Sequence, residues 1–328
     1  MNNIFNMIKR LKKKRIGLAL GSGSARGWAH IGVIKALNEA GVKIDYLAGT
    51  SIGAFVGAAY ASGGIDALED IVLEMDWKKV LFFLDVVFPK SGLIDGKKVS
   101  VLIQSIVNGA KLEDLPLPFQ AVSTDLGTGA EIILKKGDII EAVRASISVP
   151  GIFSPTMKDN MILVDGGMVN PVPVSVVKDM GADFVIAVDL NHDIMGKKGF
   201  SNNGPESKKS TEPYEKKAEI AAGADSKKKS NFLEALNKKI GDFNFASLSK
   251  FKQWGSSDPL PNIFEVLITS INIMESSITA TRLITDPPDL LIQPKLGYLK
   301  FLEFNRAQEA IDEGYHEAKI QLKNSIFS

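Results

Sequence analysis

The chain has 328 residues, of which 45% are hydrophobic and 23% charged, as in an ordinary soluble globular protein. It contains no cysteine, which excludes disulfides, thiolate metal sites and a cysteine nucleophile. The formal net charge of +1 gives no case for a nucleic-acid partner, although six basic residues and no acid fall within residues 1–15.

Residues 1–15 form a basic N-terminal tail. The apolar residues of this tail recur at helical spacing beside the basic cluster, a pattern typical of contact with an anionic membrane. A frayed, solvated tail is the alternative. The charges follow the apolar stretch, so no secretory signal peptide is indicated. We therefore expect a cytoplasmic protein that lies peripherally on the inner face of the membrane.

Short apolar runs alternate with segments of helical pattern along most of the chain. The predicted strands are Ile16–Leu20, Ile44–Ala48, Phe119–Thr124, Glu131–Leu134, Ile162–Val164, Asp183–Leu190 and Leu290–Gln293. The predicted helices are Trp28–Ala40, Ser51–Ala61, Ile65–Glu74, Lys97–Val107, Asp138–Ser146, Val174–Met180, Ile263–Ile284 and Asn305–Asn324. Strands that alternate with helices imply a parallel sheet with right-handed crossovers.

The run Tyr46–Gly64 holds 19 residues without a charge, which is long enough to span a membrane as a helix. Small, turn-prone residues interrupt the run, however. A buried strand followed by a buried helix is therefore the preferred prediction.

The composition changes after residue 195. Residues 196–230 contain nine lysines and five acids with few apolar residues, so they cannot bury enough surface to offset the cost of ordering. We expect residues 196–257 to be a mobile Lys/Ser-rich insertion. Its segment Asn231–Trp254 carries apolar residues on one helical face, for contact either with a membrane or with the core. Residues 16–195 and 258–328 are then predicted to form one domain.

The motif Gly49-Thr50-Ser51-Ile52-Gly53 lies between a predicted strand and a predicted helix. This G-x-S-x-G pattern in that context is typical of a nucleophile elbow, in which a sharp turn exposes the serine hydroxyl. The amides that open the following helix favour negative charge near the serine oxygen. A glycine-rich turn without catalytic use is the alternative.

A second glycine-rich loop, Gly21–Gly27, also connects a predicted strand to a helix. Its backbone amides could form an oxyanion hole or bind a pyrophosphate. The spacing G-x-G-x-x-x-G differs from the dinucleotide pattern, and no Walker lysine is present. Asp45 could still imitate a ribose-binding acid, so the nucleotide hypothesis stays open here.

The third motif is Asp165-Gly166-Gly167, directly after the predicted strand Ile162–Val164. Open α/β sheets place functional carboxylates at the C-terminal ends of strands. A tight turn capped by the aspartate is the alternative.

These motifs together resemble the patatin-like phospholipase family. The resemblance rests on the stretch Gly17–Leu37, the Gly-Thr-Ser-Ile-Gly elbow, the stretch Ala145–Pro155 and the Asp-Gly-Gly turn, in the family's order. Within the family, these motifs resemble those of bacterial proteins akin to the catalytic domain of neuropathy target esterase. The resemblance implies a three-layer α/β/α fold with a mostly parallel central sheet. It also makes residues 16–195 the catalytic domain, which the C-terminal part completes.

The resemblance further implies a serine lipid acyl hydrolase that acts on phospholipid or lysophospholipid without a cofactor or metal. By position, Ser51 is the nucleophile, Asp165 is the general base, and the amides of Ser22, Gly23 and Ser24 form the oxyanion hole. Arg26 matches the basic residue of that loop and is assigned with these residues to the oxyanion hole. Ser22 and Ser24 depart from the commoner all-glycine form of the loop. A non-catalytic lipid-binding or regulatory protein of the same fold is an alternative.

The three histidines test the dyad against a Ser-His-Asp triad. His316 is expected to be solvated on a charged helix, and His30 to pack after the glycine-rich loop. His192 follows a predicted strand end and is therefore the candidate member of a triad.

Overall fold

The computed structural model describes residues 14–83, 95–107, 109–194 and 263–324. Residues 1–13, which are most of the basic tail, lie outside the described residues, as does the whole insertion predicted at 196–257. What the sequence indicates for both segments therefore stays a prediction.

One mixed sheet of eight strands forms the centre of the described structure. The strands are β1 (Ile16–Leu20), β2 (Tyr46–Thr50), β3 (Phe119–Asp125), β4 (Glu131–Leu134), β5 (Thr156–Lys158), β6 (Met161–Asp165), β7 (Phe184–Val188) and β8 (Leu290–Ile292). Hydrogen-bonded neighbours follow the order β5-β6-β3-β2-β1-β7-β8, and β4 also pairs with β3. The strands from β3 through β2, β1 and β7 to β8 are parallel, whereas β4, β5 and β6 are antiparallel to their neighbours. The predicted mostly parallel sheet is confirmed.

Nine α-helices are described. They are α1 (Ala29–Glu39), α2 (Ile52–Ala61), α3 (Ile65–Leu73), α4 (Trp77–Phe83), α5 (Lys97–Val107), α6 (Ile139–Ser146), α7 (Val174–Asp179), α8 (Ile263–Thr285) and α9 (Ala307–Asn324). Short 3₁₀ turns at Ser24–Trp28 and Gly166–Met168 follow β1 and β6. Most predicted elements are present with ends displaced by two residues or fewer. The sequence patterns missed α4 and the three-residue edge strand β5.

Helices cover both faces of the sheet, which gives the expected three layers. The larger core contains residues of α1, α2, α3, α5, α6 and α9. On the other face, Val174, Val176 and Val177 of α7 pack against small residues of the central strands. The uncharged run Tyr46–Gly64 forms β2 and the almost wholly buried α2, so the prediction of a buried strand and helix is confirmed.

Helices α1 and α9 cross at very short range. A methyl group on Gly32 of α1 would overlap the carbonyl of Ile311, and one on Gly314 of α9 would overlap the carbonyl of Ala29. The last helix is thus fixed against the helix that follows the glycine-rich loop.

Helix α8 has two different faces. Ile268 and Ile271 are buried against Val149 and Ile152. The outer face exposes large apolar side chains, namely Ile263, Val266, Ile273, Met274 and Ile284. Within the described ranges, α8 alone is long and apolar enough to cross a membrane, judged by length and composition.

Candidate active site

Ser51 occupies a strained turn between β2 and α2. Its backbone has φ 57° and ψ −124°, a conformation that residues with a side chain seldom adopt. The Ser51 amide donates a 2.9 Å hydrogen bond to the hydroxyl of Ser146, which helps to hold the turn. The strand–turn–helix context expected for a nucleophile elbow is present.

The two glycines of the elbow are needed for close packing. A methyl group on Gly53 would overlap the backbone carbonyl of Leu20, and one on Gly49 would overlap the backbone of Gly53. The glycines therefore let the turn lie directly against the end of β1, where the glycine-rich loop begins.

The register of the sheet brings Ser51 and Asp165 together. Thr50 at the end of β2 pairs with Val122, and Asp165 at the end of β6 pairs with the next residue of β3, Ser123. β4 pairs with residues Ala121 to Thr124 of β3, a stretch that includes partners of both β2 and β6, so β4 lies on the other edge of β3 from both strands. β2 and β6 therefore share one edge of β3 and meet end to end. The Ser51 hydroxyl donates a 2.5 Å hydrogen bond to Oδ2 of Asp165.

Asp165 is almost fully buried, at 2% exposure. Burial raises the pKa of its carboxyl group to about 8, and the nearby carboxylate of Glu275 adds to the rise. The hydrogen bonds from Ser51 and from the Gly167 amide, at 2.7 Å, act in the opposite direction. A carboxyl group with this pKa is a much stronger base than an exposed aspartate.

The glycine-rich loop follows β1 but differs in detail from the expected oxyanion hole. The Ser22 amide donates a 2.8 Å hydrogen bond to the carbonyl of Pro171, so it is not free to bind an oxyanion. The prediction for that amide was therefore wrong. The amides of Gly23 and Ser24 have no such partner within the described residues. Ser24 holds a φ of 52°, and its hydroxyl donates to the carbonyl of Phe301 at 2.6 Å.

The side chain of Arg26 holds the glycine-rich loop in place, and Arg26 does not extend the row of amides. This corrects its assignment to the oxyanion hole. Its guanidinium group is buried and donates to Asn272 of α8 at 3.3 Å and to the carbonyl of Leu299 at 3.5 Å. Burial lowers the pKa of Arg26 to about 10, so the group stays charged at neutral pH.

The nucleotide hypothesis is contradicted by the position of Asp45. Its carboxylate accepts a 2.9 Å hydrogen bond from the amide of Ile16, at the beginning of β1. The loop Gly21–Gly27 follows the other end of the same strand. Asp45 therefore lies at the opposite edge of the sheet from the loop and cannot assist a ligand there.

The described residues include all three histidines, and none of these forms a hydrogen bond with Ser51 or Asp165. His30 is fully buried at the expected place, where its Nε2 bonds the carbonyl of Gly21 at 2.8 Å. Burial lowers the pKa of His30 to about 4, so the ring is neutral and its Nε2–H donates to that carbonyl. His316 lies half-buried beside Tyr315 and is therefore less exposed than the sequence predicts.

Ser51 opens onto an apolar cavity of about 790 Å³, including the space at its mouth. Its lining residues are all apolar except Ser24 and Ser51. They are Trp28, Ile52, Phe55, Met75, Val80, Phe83, Val99, Leu102, Ile147, Val149, Phe153, Phe301, Leu302 and Phe304. The described part of the chain contains no group of three or more histidine or acidic side chains that could hold a metal ion.

Sequence reasoning missed two polar residues of the site, Ser146 and Glu275. Ser146 lies in the stretch Ala145–Pro155 that carried the family resemblance, but no role was assigned to it there. Glu275 lies on the apolar face of α8, in line with the buried Ile268 and Ile271. The sequence signal that could have identified Glu275 is a charged residue on an otherwise apolar helix face.

The family model of the patatin-like phospholipases matches residues 18–178. An uncharacterized NTE family protein of Mycobacterium tuberculosis is 31% identical over 324 residues, covering 92% of this chain and 89% of that protein. The chain belongs to the patatin-like phospholipase family. A second mycobacterial NTE family protein is 40% identical over 59% of this chain and 33% of its own length. Patatin-like phospholipase domain-containing protein 6 of Mus musculus is 38% identical over 53% of this chain and 13% of its own length.

Membership in this family implies lipid acyl hydrolase activity, with a lipid substrate. The site geometry agrees with that activity, since a serine hydroxyl faces an apolar cavity.

Proposed function

We propose that the protein is a serine lipid acyl hydrolase of the phospholipase or lysophospholipase type that acts through a Ser51–Asp165 dyad. The observation that carries this proposal is the hydrogen bond from Ser51 Oγ to Asp165 at the end of an apolar cavity. The cavity supplies the environment for an acyl chain, and the paired carboxylate supplies the base.

In the proposed reaction, Ser51 Oγ attacks the ester carbonyl carbon while Asp165 takes the hydroxyl proton. The free amides of Gly23 and Ser24 are the candidate donors to the oxyanion of the tetrahedral intermediate. The intermediate collapses to an acyl-Ser51 ester, and the departing alcohol receives the proton from Asp165. Water then attacks the acyl-enzyme with Asp165 again as the base, which releases a fatty acid and free Ser51.

The proposed partner surface is an anionic membrane, with the protein in the cytoplasm and peripheral on the inner face. Support comes from α8, whose outer face exposes Ile273 and Met274. The buried face of the same helix packs with Val149, Phe153 and Phe301, which line the cavity. A lipid-facing α8 would therefore bring the cavity wall next to the bilayer.

Ser51→Ala is the direct test of the proposed nucleophile. We expect the wild-type protein to hydrolyse acyl esters and to be labelled covalently by a fluorophosphonate, whereas Ser51→Ala loses at least about a thousandfold in kcat and is not labelled. Ser62→Ala is the matched control, because the Ser62 hydroxyl bonds only backbone carbonyls of its own helix. A non-catalytic lipid-binding protein would leave the wild type unlabelled, and a triad esterase would lose activity in His192→Ala.

A further inference from the structure

Glu275 is a buried carboxylate that the proposed reaction does not use. It lies in the middle of α8, at 7% exposure, outside the residues that the family model matches. An ionised carboxylate at such a position is strongly disfavoured unless hydrogen-bond donors or cations compensate its charge. The groups that surround Glu275 therefore indicate what it does.

One oxygen of Glu275 is bound to the base of the glycine-rich loop. Its Oε2 accepts 2.9 Å hydrogen bonds from the hydroxyl of Ser22 and from the side-chain amide of Asn191. That amide also donates to the Ser22 hydroxyl at 3.2 Å, so the three side chains form a closed hydrogen-bond network. Ser22 is thus held by its side chain, while its backbone amide is held by Pro171.

The other oxygen of Glu275 lies against the Asp-Gly-Gly turn. A methyl group on Gly167 would overlap Oε1 of Glu275 and would lie 3.1 Å from Oδ1 of Asp165. Gly167 therefore leaves room for the carboxylate beside it, and the two acids are neighbours across that glycine.

The remaining charged groups around Glu275 are Arg26 from the glycine-rich loop and Asp189 from the end of β7, with Asp165 across the turn. Burial is the main cause that raises the pKa of Glu275, whereas Ser22, Arg26 and Asn191 all favour its charged form. Asp193 is a further acid near Arg26. Glu275 has three such partners and Asp165 has two hydrogen bonds, so the shared negative charge is better stabilised on Glu275.

We propose that Glu275 is a positioning residue for the Ser51–Asp165 pair. Its carboxylate forms a bridge that is hydrogen-bonded to Ser22 of the glycine-rich loop on one side and packed against the Asp165-Gly166-Gly167 turn on the other. The inference rests on the proposed function, because it concerns the same dyad. The bridge keeps the amides of Gly23 and Ser24 in a fixed place relative to Asp165. The charge of Glu275 also repels the ionised form of Asp165, which strengthens Asp165 as a base.

Glu275→Gln tests the charge while it keeps the shape and an acceptor oxygen for Ser22. The measurement is the pH profile of kcat/KM with an uncharged acyl ester, beside thermal melting and fluorophosphonate labelling. We expect the acidic limb of the profile to move down by about one pH unit, because a like charge next to Asp165 is removed. Glu265→Gln on the exposed first turn of α8 is the matched control and should leave the limb in place.

Ser22→Ala tests the bridge while it keeps the carboxylate. We expect a roughly tenfold fall in kcat with KM unchanged, the effect of one hydrogen bond to a charged group. An unmoved acidic limb in folded Glu275→Gln, or a wild-type kcat in Ser22→Ala, would overturn the inference. Should Glu275→Gln not fold, the Ser22→Ala result decides. If wild-type protein is neither labelled nor active, it is the proposed function that fails, not the bridge.

Discussion

At the scale of single residues, the chemistry depends on the pH at which Asp165 loses its proton. The carboxylate form must accept the Ser51 proton, yet burial and Glu275 favour the protonated form up to about pH 8. The active fraction should therefore grow as the pH rises towards 8. A strong base is obtained in this way, but the resting carboxyl group is mostly protonated near neutral pH.

The same shift makes a prediction for stability. Because the pKa of Asp165 is raised from 3.8 to about 8, the folded state binds more protons than the unfolded state between these values. The stability from this group is complete below about pH 4 and is lost as the pH rises through 8. Asp165→Asn removes that loss, so we expect it to melt at a higher temperature than the wild type at pH 8. The two melting curves should converge near pH 4, and equal melting temperatures at both pH values would contradict the shift.

The local motifs of the site could be predicted because their cause is local. Ser51 with a positive φ needs glycines beside it, and Asp165 follows directly after a short apolar strand, so both leave a mark within a few residues of sequence. The bond from the Ser22 amide to Pro171 and the contact of Glu275 with Gly167 join residues that are far apart in the chain. No local pattern reports such contacts.

At the scale of elements, the buried strands β1 to β3 and the partly buried β4 were predicted because apolar runs bounded by glycine or charge define them. β5 was missed since it has only three residues, lies at the sheet edge and leaves Met157 at 71% exposure. α4 was missed because its described part is barely two turns long. The two-residue displacement of β2 reflects Asp45, whose side chain binds the backbone at the beginning of β1.

Helix α5 offers a test of the cavity as an acyl-chain site. Val99 lines the cavity, whereas Val101 on the same helix is 53% exposed. Val99→Trp should fill part of the cavity, so we expect kcat/KM for a long-chain ester to fall at least about tenfold and that for a butyrate ester to change little. Val101→Trp is the matched control. Equal losses on both esters in Val99→Trp would show that the cavity does not hold the chain.

At the scale of the whole molecule, the outer face of α8 exposes five large apolar residues, namely Ile263, Val266, Ile273, Met274 and Ile284. Burial of one isoleucine side chain stabilises an apolar contact by about 2 kcal/mol, and a charge at the same place opposes it. We expect Ile273→Glu to weaken binding to anionic phospholipid vesicles by roughly tenfold in co-sedimentation. Hydrolysis of a soluble short-chain ester should be unchanged.

Ile320→Glu provides the comparison for that experiment, since Ile320 is an exposed isoleucine on α9 at 51% exposure. Similar vesicle binding by the two variants would argue against α8 as the membrane contact. The residues of the basic tail and the predicted insertion would then be the next candidates.

The site is assembled from opposite parts of the polypeptide. Ser51 and Asp165 precede the long helix α8 in the chain, whereas Glu275 of α8 and the later Phe301 and Phe304 complete the surroundings of the dyad and the wall of the cavity. During synthesis, the reactive pair is therefore translated before Phe301 and Phe304, which line the cavity wall beside it. We therefore expect the protein to become competent only late in its own translation, so that a growing chain passes nearby lipid without cleaving it.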